Sequence, residues 1–174
     1  MTSRIVRASL TTAMMIAMGS MASIAEAQAQ PSPEHKKLAF FVGKWQAEVE
    51  VKPTPSSPGG KATGTESCDW FATLHVVCQT ETAGAAGTYR GMRILSYIPL
   101  LKQYAQYSVD SLGYAILAMG QAQGDTWTFI TDLGTAKVRN TMKTSNGSYT
   151  TVSEYAGADG KYVTTATSKS TRAK

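Results

Sequence analysis

Alternation between apolar and polar positions dominates the chain from residue 45 onward. Trp45, Ala47, Val49 and Val51 interleave with Gln46, Glu48, Glu50 and Lys52, the period-two mark of a strand with one buried face. After a Pro/Ser/Gly loop at residues 53–60, similar runs recur at 61–71, 74–82, 88–98, 103–110, 114–123, 126–132, 137–144, 148–155 and 161–170. Leu112-Gly113, Gly124-Asp125, Leu133-Gly134, Asn146-Gly147 and Asp159-Gly160 supply much of the punctuation. Asn-Gly and Asp-Gly between such runs mark tight hairpins. About ten short strands joined this way predict an all-β, antiparallel up-and-down meander, which loses its free edges by closing into a barrel.

One stretch has helical spacing instead. Ser32 suits an N-cap, Pro33 the first helical position, and Glu34 the positive end of the helix dipole. Leu38, Phe41 and Val42 form one apolar stripe, which leaves His35, Lys36 and Lys37 for the wet side. Gly43 is expected to end the helix in the left-handed conformation. A helix of two to three turns does not persist alone in water. It is therefore predicted to dock across one end of the barrel, with Trp45 as the core residue beneath it.

Residues 1–27 read as a secretory signal peptide: Arg4 and Arg7, then a small and apolar run at 8–25, then Ala25-Glu26-Ala27 as a small-x-small cleavage site. Glycine, serine and threonine dilute the run too far for a membrane anchor. Residues 28–174 are then a single barrel domain of ordinary size, exported to the periplasm or beyond. The chain has 17 Lys and Arg against 12 Asp and Glu, a net +5, but the basic residues are scattered. Without a basic stripe, nucleic acid is not an expected partner. No stable membrane insertion is expected after leader removal, and the oligomeric state is not legible.

Cys68 and Cys78 suit one disulfide in an oxidising compartment. The closed loop is short, worth roughly 2.5–3 kcal/mol by chain entropy, less where strand pairing already holds the ends. A three-residue turn at Ala72-Thr73-Leu74 sets Cys68 opposite Cys78, Asp69 opposite Val77 and Trp70 opposite Val76. Cys68, Trp70, Val76 and Cys78 then make the more apolar face, and His75 points outward.

Glu34-His35-Lys36-Lys37-Leu38, Val42-Gly43-Lys44-Trp45, Pro58-Gly59-Gly60, Gly64-Thr65-Glu66-Ser67-Cys68-Asp69-Trp70, Val77-Cys78 and Gly124-Asp125-Thr126-Trp127-Thr128 occur in this order. The set resembles the bacterial domain of unknown function 1579 over nearly the whole mature chain. The resemblance implies a calycin-like barrel, the class of lipocalins and fatty-acid-binding proteins. It brings no established activity. Gly43 and Trp45 match the lipocalin Gly-x-Trp element, whose tryptophan packs at the closed end beneath an arginine; Arg172 is the candidate for that arginine.

Catalytic chemistry finds little support. The two histidines, His35 and His75, lack a Gly-x-Ser-x-Gly partner or metal-ligand spacing. Haem through His75, as in nitrobindin-like barrels, conflicts with the outward register, so neither a cofactor nor a metal is expected. Asp110, Asp125, Asp132 and Asp159 fall mostly at turns, where aspartate serves the backbone.

What remains is a cavity for a small hydrophobic or anionic amphiphilic ligand, with Met92, Tyr104, Tyr107, Met119 and Trp127 as candidate lining. The same residues would equally fill a solid barrel. Arg90 shares strand parity with Met92, Ile94 and Ile98 and is the first candidate to meet a ligand carboxylate. Arg93, on the opposite face with Leu95 and Tyr97, is the alternate. Non-enzymatic binding is the leading expectation. A barrel enzyme acting on a lipid-like substrate and a ligand-free scaffold are the alternatives.

Overall fold

A computed structural model describes residues 30–54, 58–85 and 87–173. The expected signal peptide and its expected cleavage site lie outside the described residues. The fold begins with a helix, α1 (Pro33–Lys37), running into a 3₁₀ turn (Leu38–Phe41). Ser32 caps it by accepting from the His35 backbone N–H, while the Ser32 N–H donates to His35 Nδ1 at 3.2 Å. This is a capping box with histidine in the place usually held by Glu or Gln.

That bond corrects one expectation. His35 is 5% exposed, not on the wet side, with its ring edge-on to Tyr97 at 5.4 Å. Gly43 is a second correction. The helical run is over by Val42, which is already extended, and Gly43 opens the first strand at φ +126°. Its lack of a side chain answers a tertiary demand, since a Cβ there would stand 2.6 Å from Arg172 Nη1.

Ten strands follow: β1 (Gly43–Val51), β2 (Gly60–Phe71), β3 (His75–Gly84), β4 (Gly87–Ile98), β5 (Gln103–Asp110), β6 (Ala115–Gln123), β7 (Thr126–Asp132), β8 (Lys137–Ser145), β9 (Ser148–Ala156) and β10 (Tyr162–Arg172). Each pairs antiparallel with its sequence neighbours, and β1 pairs with β10 to close the barrel. The Cys hairpin has the expected register, with Cys68 opposite Cys78 and Trp70 opposite Val76, and the two cysteines are joined. β10 carries one irregularity between Thr164 and Ala166. There the Thr165 carbonyl accepts from Lys52 N at 2.8 Å, and its hydroxyl donates to the Ser153 carbonyl at 3.1 Å.

The interior is filled unevenly. At the end nearest α1, Leu38, Phe41, Trp45, Val76, Leu95, Phe129 and the disulfide are buried, with Tyr104, Trp127, Met142 and Tyr149 packed among them. Towards the other end the inward positions of β1, β2, β3 and β10 shrink to Ala47, Val49, Ala62, Gly64, Thr82, Gly84, Ala166 and Ser168, while β4 adds Tyr89. Small side chains cannot meet across a ten-stranded barrel. One half is a core and the other half is hollow.

Tyr104 ties core to plug. Its hydroxyl donates to the Glu34 carbonyl at 3.2 Å, and its ring lies 4.7 Å from that of Trp127. Burial, with help from the Glu34 charge and Tyr97, pushes the phenol up to about 12. Tyr149 and Tyr89 shift the same way, first through burial. A phenol whose pKa is raised on folding contributes stability that is complete below its unfolded value of about 10 and is lost as pH rises through the folded value. Stability should therefore fall between about pH 10 and 12 in a denaturant series. A flat profile across that window would contradict the buried, un-ionised phenols.

Candidate functional site

Strand alternation sets the polar groups of the interior. Trp45 is inward on β1, and the residue opposite it on β2 is Glu66. On β4, Leu95 and Tyr97 pack into the core, so Arg93 two positions earlier is inward too, opposite Cys78. Glu66 and Arg93 meet directly above the aromatic core. Arg93 Nη2 donates to Glu66 Oε1 at 2.7 Å, and the Tyr149 hydroxyl donates to the same oxygen at 2.7 Å. Thr80 donates to the other oxygen, Oε2, at 3.0 Å. Arg93 also reaches the Tyr149 oxygen at 3.2 Å and the Met142 sulfur at 3.7 Å. Side-chain exposure is 7% for Glu66 and 15% for Arg93. Burial works against the guanidinium charge, but Glu66 and Tyr149 outweigh it and raise the Arg93 pKa. One atom is left over: Arg93 Nε is buried with no hydrogen-bond partner among the described residues.

Above this layer opens a cavity of about 550 Å³, lined by Val49, Ala62, Thr80, Thr82, Tyr89, Ser153, Ala166 and Ser168, with Lys61 as its one charged lining residue. Thr80 links the cavity to the Glu66 carboxylate. Tyr89 lies back over Gly91, where a Cβ would come within 2.9 Å of the Tyr89 hydroxyl oxygen, so only glycine admits the ring. Burial first, then the neighbouring Asp110 carboxylate, push the Tyr89 phenol up, and the two side chains hydrogen-bond. Asp110 Oδ1 also accepts from Leu112 N at 2.9 Å and Tyr114 N at 3.0 Å, so it holds its turn and edges the lumen together.

A wider concavity of about 760 Å³ lies on the outer face of β1–β5, lined by Lys44, Gln46, Gln79, Glu81 and Val109 and bringing together Arg90 and Met92. Its charged pair, Arg90 with Glu81 at 3.0 Å, is well exposed. An ion pair facing water adds little to binding, which favours the lumen as the site.

The candidate residues separate into three places. Arg90 is outward with 71% of its side chain exposed, paired with Glu81, and does not enter the lumen. Met92, Tyr107 and Met119 are outward as well, beside Ile94, Leu117 and Ile130 on the wall β4–β7. Tyr104 and Trp127 are inward but sit in the solid core, below the cavity. The inward placement of Arg90 failed because the outer face of β4 is as apolar as the inner one, so hydrophobicity alone did not choose the face. Glu66 was missed altogether. It shares parity with Cys68 and Trp70, and that alternation is the signal that finds it.

At the closed end, Trp45 Nε1 donates to the Phe41 carbonyl at 2.8 Å, and the Arg172 guanidinium lies 4.4 Å over the Trp45 ring. Arg172 also donates to the carbonyls of Val42 and Phe40, each at 2.8 Å. His75 is on the outer face, its Nδ1 2.7 Å from Ser96 Oγ, with a pKa lowered by burial and by His35. Glu66, Cys68 and Cys78 offer ligand atoms within 4.8 Å of one another, but the sulfurs are bonded together and the carboxylate already accepts three hydrogen bonds. This cluster does not present an open metal site. No helix among the described residues is long and apolar enough to cross a membrane.

Solved structures with the same architecture include Rv2717c from M. tuberculosis, at a TM-score of 0.65 and 8% identity, covering 83% of this chain and 100% of that one. The S-type phycobiliprotein lyase CPES from Guillardia theta matches at a TM-score of 0.58 and 12% identity, over 87% of this chain and 98% of its own. At such identities the likeness speaks for the fold alone. No protein with a curated description matches the sequence. The model of one family does match, over residues 30–173, so the chain belongs to the proteins of unknown function grouped as DUF1579.

Proposed function

We propose that the hollow half of the barrel binds a small hydrophobic or amphiphilic molecule, without transforming it, in a protein exported from the cytoplasm. The observation that carries this reading is the unfilled cavity of about 550 Å³ standing on a hydrogen-bonded polar layer. Ligand sites combine an apolar wall with a few converging polar groups, and Thr80, Thr82, Tyr89 and Ser153 supply these. That CPES, a barrel of this architecture, is a phycobiliprotein lyase agrees with the reading as fold-level analogy only. Export is supported by the disulfide and by the leader-like sequence at residues 1–27.

The test is titration with N-phenyl-1-naphthylamine, a neutral probe that fluoresces in apolar surroundings. Binding to the wild type should be saturable and should weaken at least tenfold in Ala166→Trp, whose indole would occupy the lumen. Equal affinity in both would place the probe on the outer wall, and the lumen reading would be wrong.

A further inference from the structure

The cavity wall carries hydroxyl groups, and most of their protons are already given away. Five hydroxyl side chains line it from inward strand positions: Thr80 and Thr82 on β3, Tyr89 on β4, Ser153 on β9 and Ser168 on β10. None of the five is fully buried. A hydroxyl has one proton to donate and lone pairs with which to accept. Where that proton goes decides what the oxygen can still offer a ligand.

Thr80 donates to Glu66 Oε2 at 3.0 Å, and that carboxylate, paired with Arg93, has no proton of its own to give back. Ser153 donates to Asn140 Oδ1 at 2.7 Å. The Tyr89 hydroxyl hydrogen-bonds the Asp110 carboxylate, which only accepts. Glu66, Asn140 and Asp110 stand behind the wall and do not line the cavity. Thr80, Ser153 and Tyr89 therefore keep lone pairs for a ligand, but no proton. The side chains of Thr82 and Ser168 make no hydrogen bond among the described residues and serve either way. Lys61, the one charged lining residue, holds an outward position on β2 opposite Glu50. The Glu50 carboxyl pKa is lowered first by Lys52 and further by Lys61, so the Lys61 charge acts on the outer face.

We infer that the lumen selects its ligand by hydrogen-bond donors: it takes a neutral, largely apolar molecule carrying a hydroxyl or N–H, in preference to a matched ketone or ether that only accepts. This deepens the lumen reading and rests on it. A ligand donor taken out of water must find an acceptor. It meets lone pairs at Thr80, Ser153 and Tyr89, whereas a ketone oxygen has only Thr82 and Ser168 to donate to it.

Displacement of N-phenyl-1-naphthylamine by decan-1-ol and by decan-2-one, which match in carbon and oxygen count, tests it. Competition is measured in the wild type, Thr80→Val, Ser153→Ala and Tyr89→Phe, each variant lacking one accepting oxygen. Probe binding is assigned to the lumen only where Ala166→Trp weakens it. The wild type should prefer the alcohol at least fivefold, and that ratio should fall at least threefold in one or more of the three variants. Equal displacement by the two competitors, displacement by neither, or a ratio unmoved in every folded variant would overturn the inference while leaving the lumen site intact. Probe affinity that Ala166→Trp leaves unchanged would remove the proposed function and this inference together. The three variants lie on three different strands, so one that fails to fold leaves the other two to decide.

Discussion

Replacing Trp45 with alanine is expected to cost on the order of 3–5 kcal/mol of folding stability. The side chain is fully buried, with Tyr149 edge-on at 5.0 Å, Phe40 at 5.6 Å and Arg172 over its face. Alanine would leave a void that the surrounding strands cannot close, and the Phe41 carbonyl would lose the indole N–H that now donates to it. The loss should fall on the docking of the 3₁₀ turn as well as on the core, because the indole joins the two. Denaturant unfolding monitored by circular dichroism measures it. As a control, Phe71→Ala on the exposed end of the Cys hairpin should change stability by no more than about 0.5 kcal/mol. A Trp45→Ala loss under about 1 kcal/mol would mean that the plug is not part of the cooperative fold.

The second large effect is expected from Arg93→Met. Removing one partner from a buried ion pair leaves the other charge unsupported, which typically costs 3–5 kcal/mol. Glu66 would keep Tyr149 and Thr80 as donors but lose its cation. Replacing both charged residues by methionine should recover much of that cost, since a well-packed apolar pair often equals a buried salt bridge. The double-mutant cycle therefore separates two roles for the pair. A double mutant near wild-type stability would indicate that the pair is dispensable for folding, and its place between core and cavity would then call for a functional reason. A double mutant as unstable as Arg93→Met alone would make the pair structural.

Much of this architecture was legible in the chain because its information is local. The Cys hairpin alternates cleanly, with Cys68, Trp70, Val76 and Cys78 on one face and Asp69, Val77 and Gln79 on the other, so register and facing follow from period two. β4 offers no such contrast: Met92, Ile94 and Ile98 on one face equal Leu95 and Tyr97 on the other. Its facing is fixed by neighbours, because Tyr97 pairs with Tyr104 on β5, whose hydroxyl is anchored to Glu34. That anchor joins positions 70 residues apart and leaves no mark on either segment alone. His35 was misjudged for a related reason. Its imidazole is drawn in by the capping box and by Tyr97, whereas a lone histidine among lysines reads as solvated. The ion pair of Glu66 and Arg93 combines both difficulties, since each charge is tolerable inside only because the other is there.

Closure of the barrel has a kinetic consequence. β1 and β10 meet across the whole intervening sequence, and Arg172 grips carbonyls that lie 130 and 132 positions earlier in the chain. Such pairing carries the largest loop-closure entropy in the molecule and makes for slow folding. While the other hairpins assemble, the outer edges of β1 and β10 stay unpaired and open to other chains. Seam and plug share one fastening, because the arginine carried on β10 also holds the Phe40 and Val42 carbonyls. Any chain whose last strand is undocked is therefore an open, edge-exposed sheet.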